Sequence, residues 1–83
     1  MTNAQSQHLR RFLGALDELV QGATYRQRRA NDIARYAGLP LCGLDEVLDK
    51  AVETGLVERN VNDPDLVSIT VHGIAVVRGK GPR

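Results

Sequence analysis

The sequence predicts a mainly α-helical domain with a small β-hairpin, an α+β fold in which two helices form a helix-turn-helix. Apolar residues recur at three- and four-residue spacing before and after Gly38-Leu39-Pro40, which is typical of amphipathic helices on either side of a tight turn. Two runs rich in β-branched residues then flank the strong turn formers Asn62-Asp63-Pro64-Asp65. We therefore expect one domain over residues 1–78 and a flexible basic tail over residues 79–83.

The first helix is predicted from about Asn3 to Gln21, with Gly22 at its C-terminal end. Its apolar positions form one stripe that should pack against the rest of the domain: Leu9, Phe12, Leu13, Leu16, Leu19 and Val20. Its charged residues lie off this stripe: Arg10, Arg11, Asp17 and Glu18. The helix is also long enough to contribute to a contact between two copies of the chain.

The start of the second helix has two alternatives. Thr24 with Gln27 three residues later fits a capping box, which would begin a helix near Tyr25. Alternatively, residues 25–27 form a short strand and the helix begins near Ala30. In both cases the helix presents a narrow apolar face made mostly of small residues: Ala30, Ile33, Ala34 and Ala37.

The third helix should follow the bend at Gly38 and Pro40 and run to about Thr54, where Gly55 ends it. Its predicted buried stripe consists of Leu44, Val47, Leu48, Ala51 and Val52. Its predicted outward-facing residues are Asp45, Glu46, Asp49, Lys50 and Glu53. Cys42, just before the helix, is expected to be a small buried residue.

The second strand of the hairpin shows the alternation of a half-buried strand. Val67, Ile69 and Val71 should face the core, and Ser68 and Thr70 should face solvent. The Thr70 hydroxyl can also cap a last short helix over residues 71–77.

Composition narrows the function classes. The 83 residues are 42% hydrophobic and 25% charged, as in soluble globular proteins, and no apolar run approaches the ~18 residues of a membrane span. The single cysteine excludes an internal disulfide and indicates a reducing, cytoplasmic compartment. The sequence has no phosphate-binding glycine loop, no nucleophile with a credible base and no metal-ligand spacing. We expect no catalytic residues, no metal and no cofactor.

Charge is strongly segregated although the net charge is only +1. Residues 1–40 contain six basic and three acidic side chains, and residues 71–83 contain three basic ones. Residues 41–70 contain two basic and seven acidic side chains. Such asymmetry indicates a charged partner.

Three segments resemble the winged helix-turn-helix domain of MarR- and PadR-type transcriptional regulators. NDIARYAGLP (31–40) is similar to their second-helix signature, and AVETGLVERN (51–60) to the end of their third helix and first wing strand. ITVHGIAVV (69–77) is similar to the pattern that follows their wing, with Thr70 and Gly73 in register. The resemblance spans about residues 23–77 and implies a winged-helix fold. Long dimerisation helices of the kind that many such regulators carry have no counterpart in the sequence.

The resemblance implies a small transcriptional regulator that binds double-stranded DNA, and a homodimer is also expected. The residues expected to hold phosphates are Arg26, Arg28 and Arg29. The positions expected to face the major groove are Leu41, Cys42, Gly43, Glu46 and Lys50. The wing is expected to contact DNA through Arg59, Asn60 and Asn62.

The acidic third helix favours an alternative function. DNA affinity comes largely from basic side chains that neutralise phosphates, so several acids on the helix that should enter the groove oppose binding. The alternative is a winged-helix protein-interaction module that binds a basic partner through Asp45, Glu46, Asp49 and Glu53. A continuous basic band around the third helix would favour DNA, and an open acidic face would favour a protein.

Overall fold

A computed structural model describes residues 3–79 of the chain. Its helices are α1 (Asn3–Val20), α2 (Ala30–Ala37), α3 (Leu44–Glu53) and α4 (Val71–Arg78). Its strands are β1 (Arg28–Arg29), β2 (Val57–Arg59) and β3 (Leu66–Ile69), which form one antiparallel sheet in the order β1-β3-β2. The predicted mainly α fold with a small hairpin is confirmed, and β1 adds a third strand. Residues 80–83, most of the predicted tail, lie outside the described residues.

Pairing with β3 decides where α2 begins. Arg28 lies opposite Val67 and Arg29 opposite Leu66, and the Ala30 N–H donates to the Asp65 carbonyl at 2.8 Å. The helix therefore starts at Ala30, which confirms the alternative with a short strand. The strand itself lies slightly later than the predicted residues 25–27, at Arg28–Arg29.

The core is aliphatic around one phenylalanine, as the composition requires. Its largest fully buried side chains come from three helices, α1 to α3, and two strands, β2 and β3: Phe12, Leu13, Leu16, Val20, Ile33, Leu48, Val57, Val67 and Ile69. Two predicted core positions are wrong, since Val52 is 39% exposed and Val71 is 76% exposed. Val71 is outside because β3 ends at Ile69 and Val71 already begins α4. Ser68, expected to face solvent, is buried.

The turn between α2 and α3 uses glycine as predicted. Gly38 has φ 72°, a left-handed conformation that glycine adopts without steric cost, and it ends α2. The next residue, Leu39, is buried and donates its N–H to the Ala34 carbonyl at 2.8 Å. This fixes the direction in which the chain enters α3.

The last helix is attached at both ends. The Thr70 hydroxyl accepts from the Gly73 N–H at 3.0 Å and lies 2.6 Å from the Gly55 carbonyl, to which it donates. At the other end, Arg78 donates from Nε and Nη2 to the two carboxylate oxygens of Asp17, each at 3.3 Å. Asp17 is 8% exposed, so its predicted position off the packed stripe of α1 is wrong.

Within residues 3–79, no helix combines the length and the apolar character needed to cross a lipid bilayer.

Candidate nucleic-acid interface

The third helix presents an acidic outer face. Its inner side packs into the core through Leu44, Val47, Leu48 and Ala51. Asp45 and Glu46 occupy its first turn, where the positive end of the helix dipole favours negative charge, so they also have a local structural role. Asp49, Lys50 and Glu53 complete the outer face. One lysine among four carboxylates leaves this surface negative.

Lys50 on α3 and Arg59 on the first wing strand, both predicted to contact DNA, form ion pairs with acids of α3. Arg59 Nη1 lies 3.4 Å from Asp49 Oδ1, and Lys50 Nζ lies 3.7 Å from Glu53 Oε1. Arg59 Nε is buried and has no hydrogen-bond partner among the residues that the structure describes. The charge of Arg59 is thus offset inside the domain.

The three arginines around β1 have different surroundings. Arg29 Nη1 lies 3.2 Å from Asp65 Oδ2 and 3.9 Å from Asp63 Oδ2, so two wing carboxylates offset its charge. Arg28 Nη2 donates to the Leu19 carbonyl near the end of α1 at 3.4 Å. Arg26 is exposed and forms no ion pair with a carboxylate within residues 3–79. Arg26 and Arg28 are therefore the predicted phosphate-binding arginines whose charge is not offset by an ion pair in this part of the chain.

The sheet places basic side chains at both of its edges. Arg28 on β1 and Arg59 on β2 both lie opposite Val67 of the central strand. Adjacent strands are about 4.8 Å apart, so the two arginines are separated by roughly 10 Å at the backbone. Because Asp49, Asp63 and Asp65 lie among these arginines, the basic band is interrupted rather than continuous.

The wing turn is organised by one asparagine. Asn60 Oδ1 accepts from the backbone N–H groups of Asn62 at 2.8 Å and Asp63 at 3.0 Å, and its Nδ2 donates to Gln27 Oε1 at 3.1 Å. Asn60 thereby shapes the turn and joins it to the segment before β1. Gln27 was not among the predicted site residues. Its partner Asn60 lies 33 positions later in the sequence, so the contact between them could not be inferred from the residues around Gln27.

Val61, beside Asn60 in the wing turn, is 96% exposed. Val61 was not among the predicted site residues, because in the sequence it was part of the run that predicts the hairpin. A single exposed apolar side chain is common on protein surfaces, so Val61 by itself does not indicate a partner.

The loop before α3 exposes three of the predicted interface positions. Leu41 is 47% exposed, and Cys42 and Gly43 are also at the surface. The prediction that Cys42 is buried is wrong, because Leu39 and Leu44 fill the core on either side of it. Gly43 has φ 83° and no side chain caps α3. This loop is uncharged, unlike the face of α3 that follows.

A surface cavity of about 420 Å³ lies between α1, α2 and α4, away from this interface. It is bordered by Glu18 and Tyr36, whose hydroxyl donates to Glu18 Oε2 at 2.8 Å. This hydrogen bond, together with the carboxylate charge, raises the pKa of Tyr36 above its ordinary value. Among residues 3–79, no three His, Cys, Asp or Glu side chains are grouped so that they could hold a metal ion.

No protein-family model and no curated protein matches the sequence. Among solved structures, the fold is similar to that of the PcaV transcriptional regulator from Streptomyces coelicolor, crystallised in complex with its natural ligand. The TM-score is 0.59 and the sequence identity is 22%. The match covers 94% of this chain and 51% of that chain, so this chain spans about half the length of PcaV. The likeness confirms the predicted winged helix-turn-helix fold.

Proposed function

We propose that the chain is the winged-helix part of a transcriptional regulator and that it binds double-stranded DNA. The observation that carries this proposal is the arrangement of α2, the Gly38 turn, α3 and the β2–β3 wing, in a fold similar to that of a transcriptional regulator. In such an arrangement the second helix of the pair enters the major groove, and the wing contacts the backbone or the minor groove.

Phosphates are held mainly by Arg26 and Arg28 in this proposal, since neither has an ion-pair partner among residues 3–79. Arg29 and Arg59 join them after exchanging their carboxylate partners for phosphate. The exchange is feasible because exposed ion pairs contribute only about 0–1 kcal/mol.

The groove is entered by the uncharged loop rather than by the middle of α3. Leu41, Cys42 and Gly43 are exposed and lead into the helix, and Glu46 and Lys50 follow one and two turns later. A carboxylate such as Glu46 can accept a hydrogen bond from a cytosine amino group. The remaining acids of α3 repel phosphates and lower the affinity, whereas the arginine–phosphate contacts make binding weaken as the salt concentration rises.

The test is fluorescence anisotropy with a pool of random-sequence duplexes over a range of salt concentrations. Arg26→Ala with Arg28→Ala should weaken binding to all sequences, and the slope of log K against log salt should fall by about 2. The matched control, Arg26→Lys with Arg28→Lys, keeps both charges and should keep the slope. Absence of binding by the unmodified chain at low salt would overturn the proposal.

The acidic face of α3 supports a second candidate, a module that binds a basic protein partner. Asp45, Asp49 and Val52 follow one another at helical spacing along one stripe, and the exposed Val52 adds an apolar contact to the carboxylates. Glu46 and Glu53 extend the negative surface along one side of this stripe.

One variant separates the two candidates. Asp45→Lys with Glu46→Lys should abolish capture of a basic partner in a pull-down if α3 binds protein. The same change should strengthen DNA binding if α3 lies near phosphates, because it replaces repulsion by attraction. Unchanged partner capture by this variant would count against the protein-binding candidate.

A further inference from the structure

The segment that enters the major groove in the proposed function contains few side chains that can recognise a purine. Residues 41–53 include no arginine, asparagine or glutamine. Together with lysine, these are the side chains that form paired hydrogen bonds to guanine or adenine in the major groove. The groups left to recognise a base are one exposed leucine, four carboxylates and one lysine.

Ion pairs within the domain occupy several of these groups. Lys50 Nζ, which could bind a guanine, lies 3.7 Å from Glu53 Oε1. Asp49 Oδ1 lies 3.4 Å from Arg59 Nη1 on the wing. Each of these side chains would have to give up a charged partner before it could bind a base.

Glu46 is the carboxylate best placed to meet a base. Neither Asp45 nor Glu46 forms an ion pair among residues 3–79. Glu46 lies two residues from both Leu44 and Leu48, which are buried, so at about 100° per residue it projects from the opposite side of α3. Asp45 is one residue from Leu44 and therefore projects sideways. Glu46 reaches furthest from the core.

Leu41 is an exposed apolar side chain just before α3. It is 47% exposed, whereas Leu39 and Leu44 on either side of it are buried. The Leu41 carbonyl accepts from the Leu44 N–H at 3.1 Å, which holds its backbone against the first turn of the helix. A leucine in this position can contact the C5-methyl group that thymine presents in the major groove.

Gly43 leaves the surface between Leu41 and Glu46 open. A Cβ atom added to Gly43 would meet no heavy atom within 4 Å. The Gly43 carbonyl accepts from the Glu46 N–H at 3.2 Å, so backbone hydrogen bonds hold the segment at both of its ends. The edge of a base pair can therefore approach this part of the backbone closely.

We propose that the chain recognises pyrimidines in the major groove. Leu41 packs against the methyl group of a thymine, and Glu46 accepts a hydrogen bond from the N4 amino group of a cytosine. Adenine also has an amino group there, but its neighbouring N7 acceptor repels a carboxylate. The inference rests on the proposed function and adds to it the bases that the preferred site contains.

The first experiment selects bound duplexes from a random-sequence pool with the full chain at low salt and sequences them. The bound duplexes should share a T·A pair and a C·G pair at a constant separation. Glu46→Gln should change the preferred C·G pair to one that presents adenine, because glutamine pairs with adenine N6 and N7. Selected duplexes without enrichment of these pairs, or an unchanged preference in Glu46→Gln, would overturn the proposal.

The second experiment removes only the methyl group. Deoxyuridine in place of each thymidine in a selected duplex keeps the base pairing and the phosphates but lacks the C5-methyl group. Fluorescence anisotropy should show about three- to fivefold weaker binding by the unmodified chain at the contacted position, as expected for one buried methyl group. Leu41→Ala should bind the thymine and uracil duplexes equally.

Val61→Ala is the matched control, because it also shortens an exposed apolar side chain, but on the wing. It should keep the ratio of the thymine and uracil affinities, and circular dichroism establishes that each variant is folded. Equal affinities of the unmodified chain for both duplexes at every position would overturn this proposal and leave the proposed function standing. Absence of binding to the random pool at low salt would overturn both.

Discussion

Arg59 on the first wing strand reaches back to Asp49 on α3, with 3.4 Å between Nη1 and Oδ1. The side chains are 31% and 74% exposed, so the pair is screened by water and contributes at most about 1 kcal/mol. It nevertheless joins α3 to the wing, the two elements that contact DNA in the proposed function. An acid of the third helix therefore pairs with the arginine that we propose as a phosphate ligand on the wing.

Releasing Arg59 should strengthen DNA binding. In Asp49→Asn the amide keeps the size of the side chain but loses its charge, so Arg59 is freed and one source of phosphate repulsion is removed. We expect the affinity for duplex DNA at low salt to rise by about three- to tenfold, with a steeper salt dependence. Anisotropy titrations at several salt concentrations measure both quantities.

Asp45→Asn is the matched control, because it removes the same charge from the same helix and Asp45 forms no ion pair among residues 3–79. It should raise the affinity less than Asp49→Asn does. Equal gains from both variants would mean that only the net charge of α3 matters and that Arg59 has no separate role.

Local chemistry was sufficient to predict much of this architecture. Glycine was predicted to end α2 and a threonine hydroxyl to cap α4, and both occur, at Gly38 and Thr70. The apolar stripe of α1 was also predicted, because an amphipathic helix with one wide apolar face has only one way to pack. Each of these features depends only on residues that are close together in the sequence.

Features that depend on distant partners could not be predicted. Asp17 is buried because Arg78, 61 positions later, covers it, and the periodicity of α1 contains no sign of that partner. The strand before α2 forms because β3 is there to pair with it. At the interface, Arg29 and Arg59 were predicted as available charges, and their carboxylate partners follow only from the folded wing.

Gly73 should be intolerant of any side chain. A Cβ atom there would overlap the Leu56 carbonyl oxygen, which is backbone and cannot move aside independently. We expect Gly73→Ala to lower the free energy of unfolding by about 1–3 kcal/mol through overpacking. Urea denaturation followed by circular dichroism measures the change.

The same substitution at Gly14 is the control, since it also places alanine in a helix but into open space. Gly14→Ala should raise the free energy of unfolding by about 0.5–1 kcal/mol. Equal effects of the two substitutions would contradict the close packing of α4 on Leu56.

The Thr70 hydroxyl should stabilise the domain as a cap. It accepts from the Gly73 N–H and donates to the Gly55 carbonyl, so it joins α4 to the connection between α3 and β2. Thr70→Ala should cost about 1–2 kcal/mol of unfolding free energy. Thr70→Ser retains the hydroxyl and should remain close to the unmodified chain in thermal denaturation, whereas an equally large loss in Thr70→Ser would exclude the cap as the cause.

The Tyr36–Glu18 hydrogen bond should be detectable as a raised pKa of Tyr36 in an alkaline titration. Because the bond and the charge of Glu18 raise the pKa of Tyr36, this tyrosine should ionise above the ordinary value of about 10. A pKa that is higher in the folded chain means that folding favours the protonated hydroxyl. The stabilisation is therefore complete below the ordinary pKa and is lost as the pH rises through the raised one.

Ultraviolet difference spectroscopy of tyrosinate can follow Tyr36 alone in a Tyr25→Phe background, since Tyr25 is the other tyrosine in the sequence. Adding Glu18→Gln replaces the carboxylate by a neutral amide, so the pKa of Tyr36 should fall back toward its ordinary value. An unchanged titration curve after Glu18→Gln would show that the contact between α1 and α2 does not hold the Tyr36 proton.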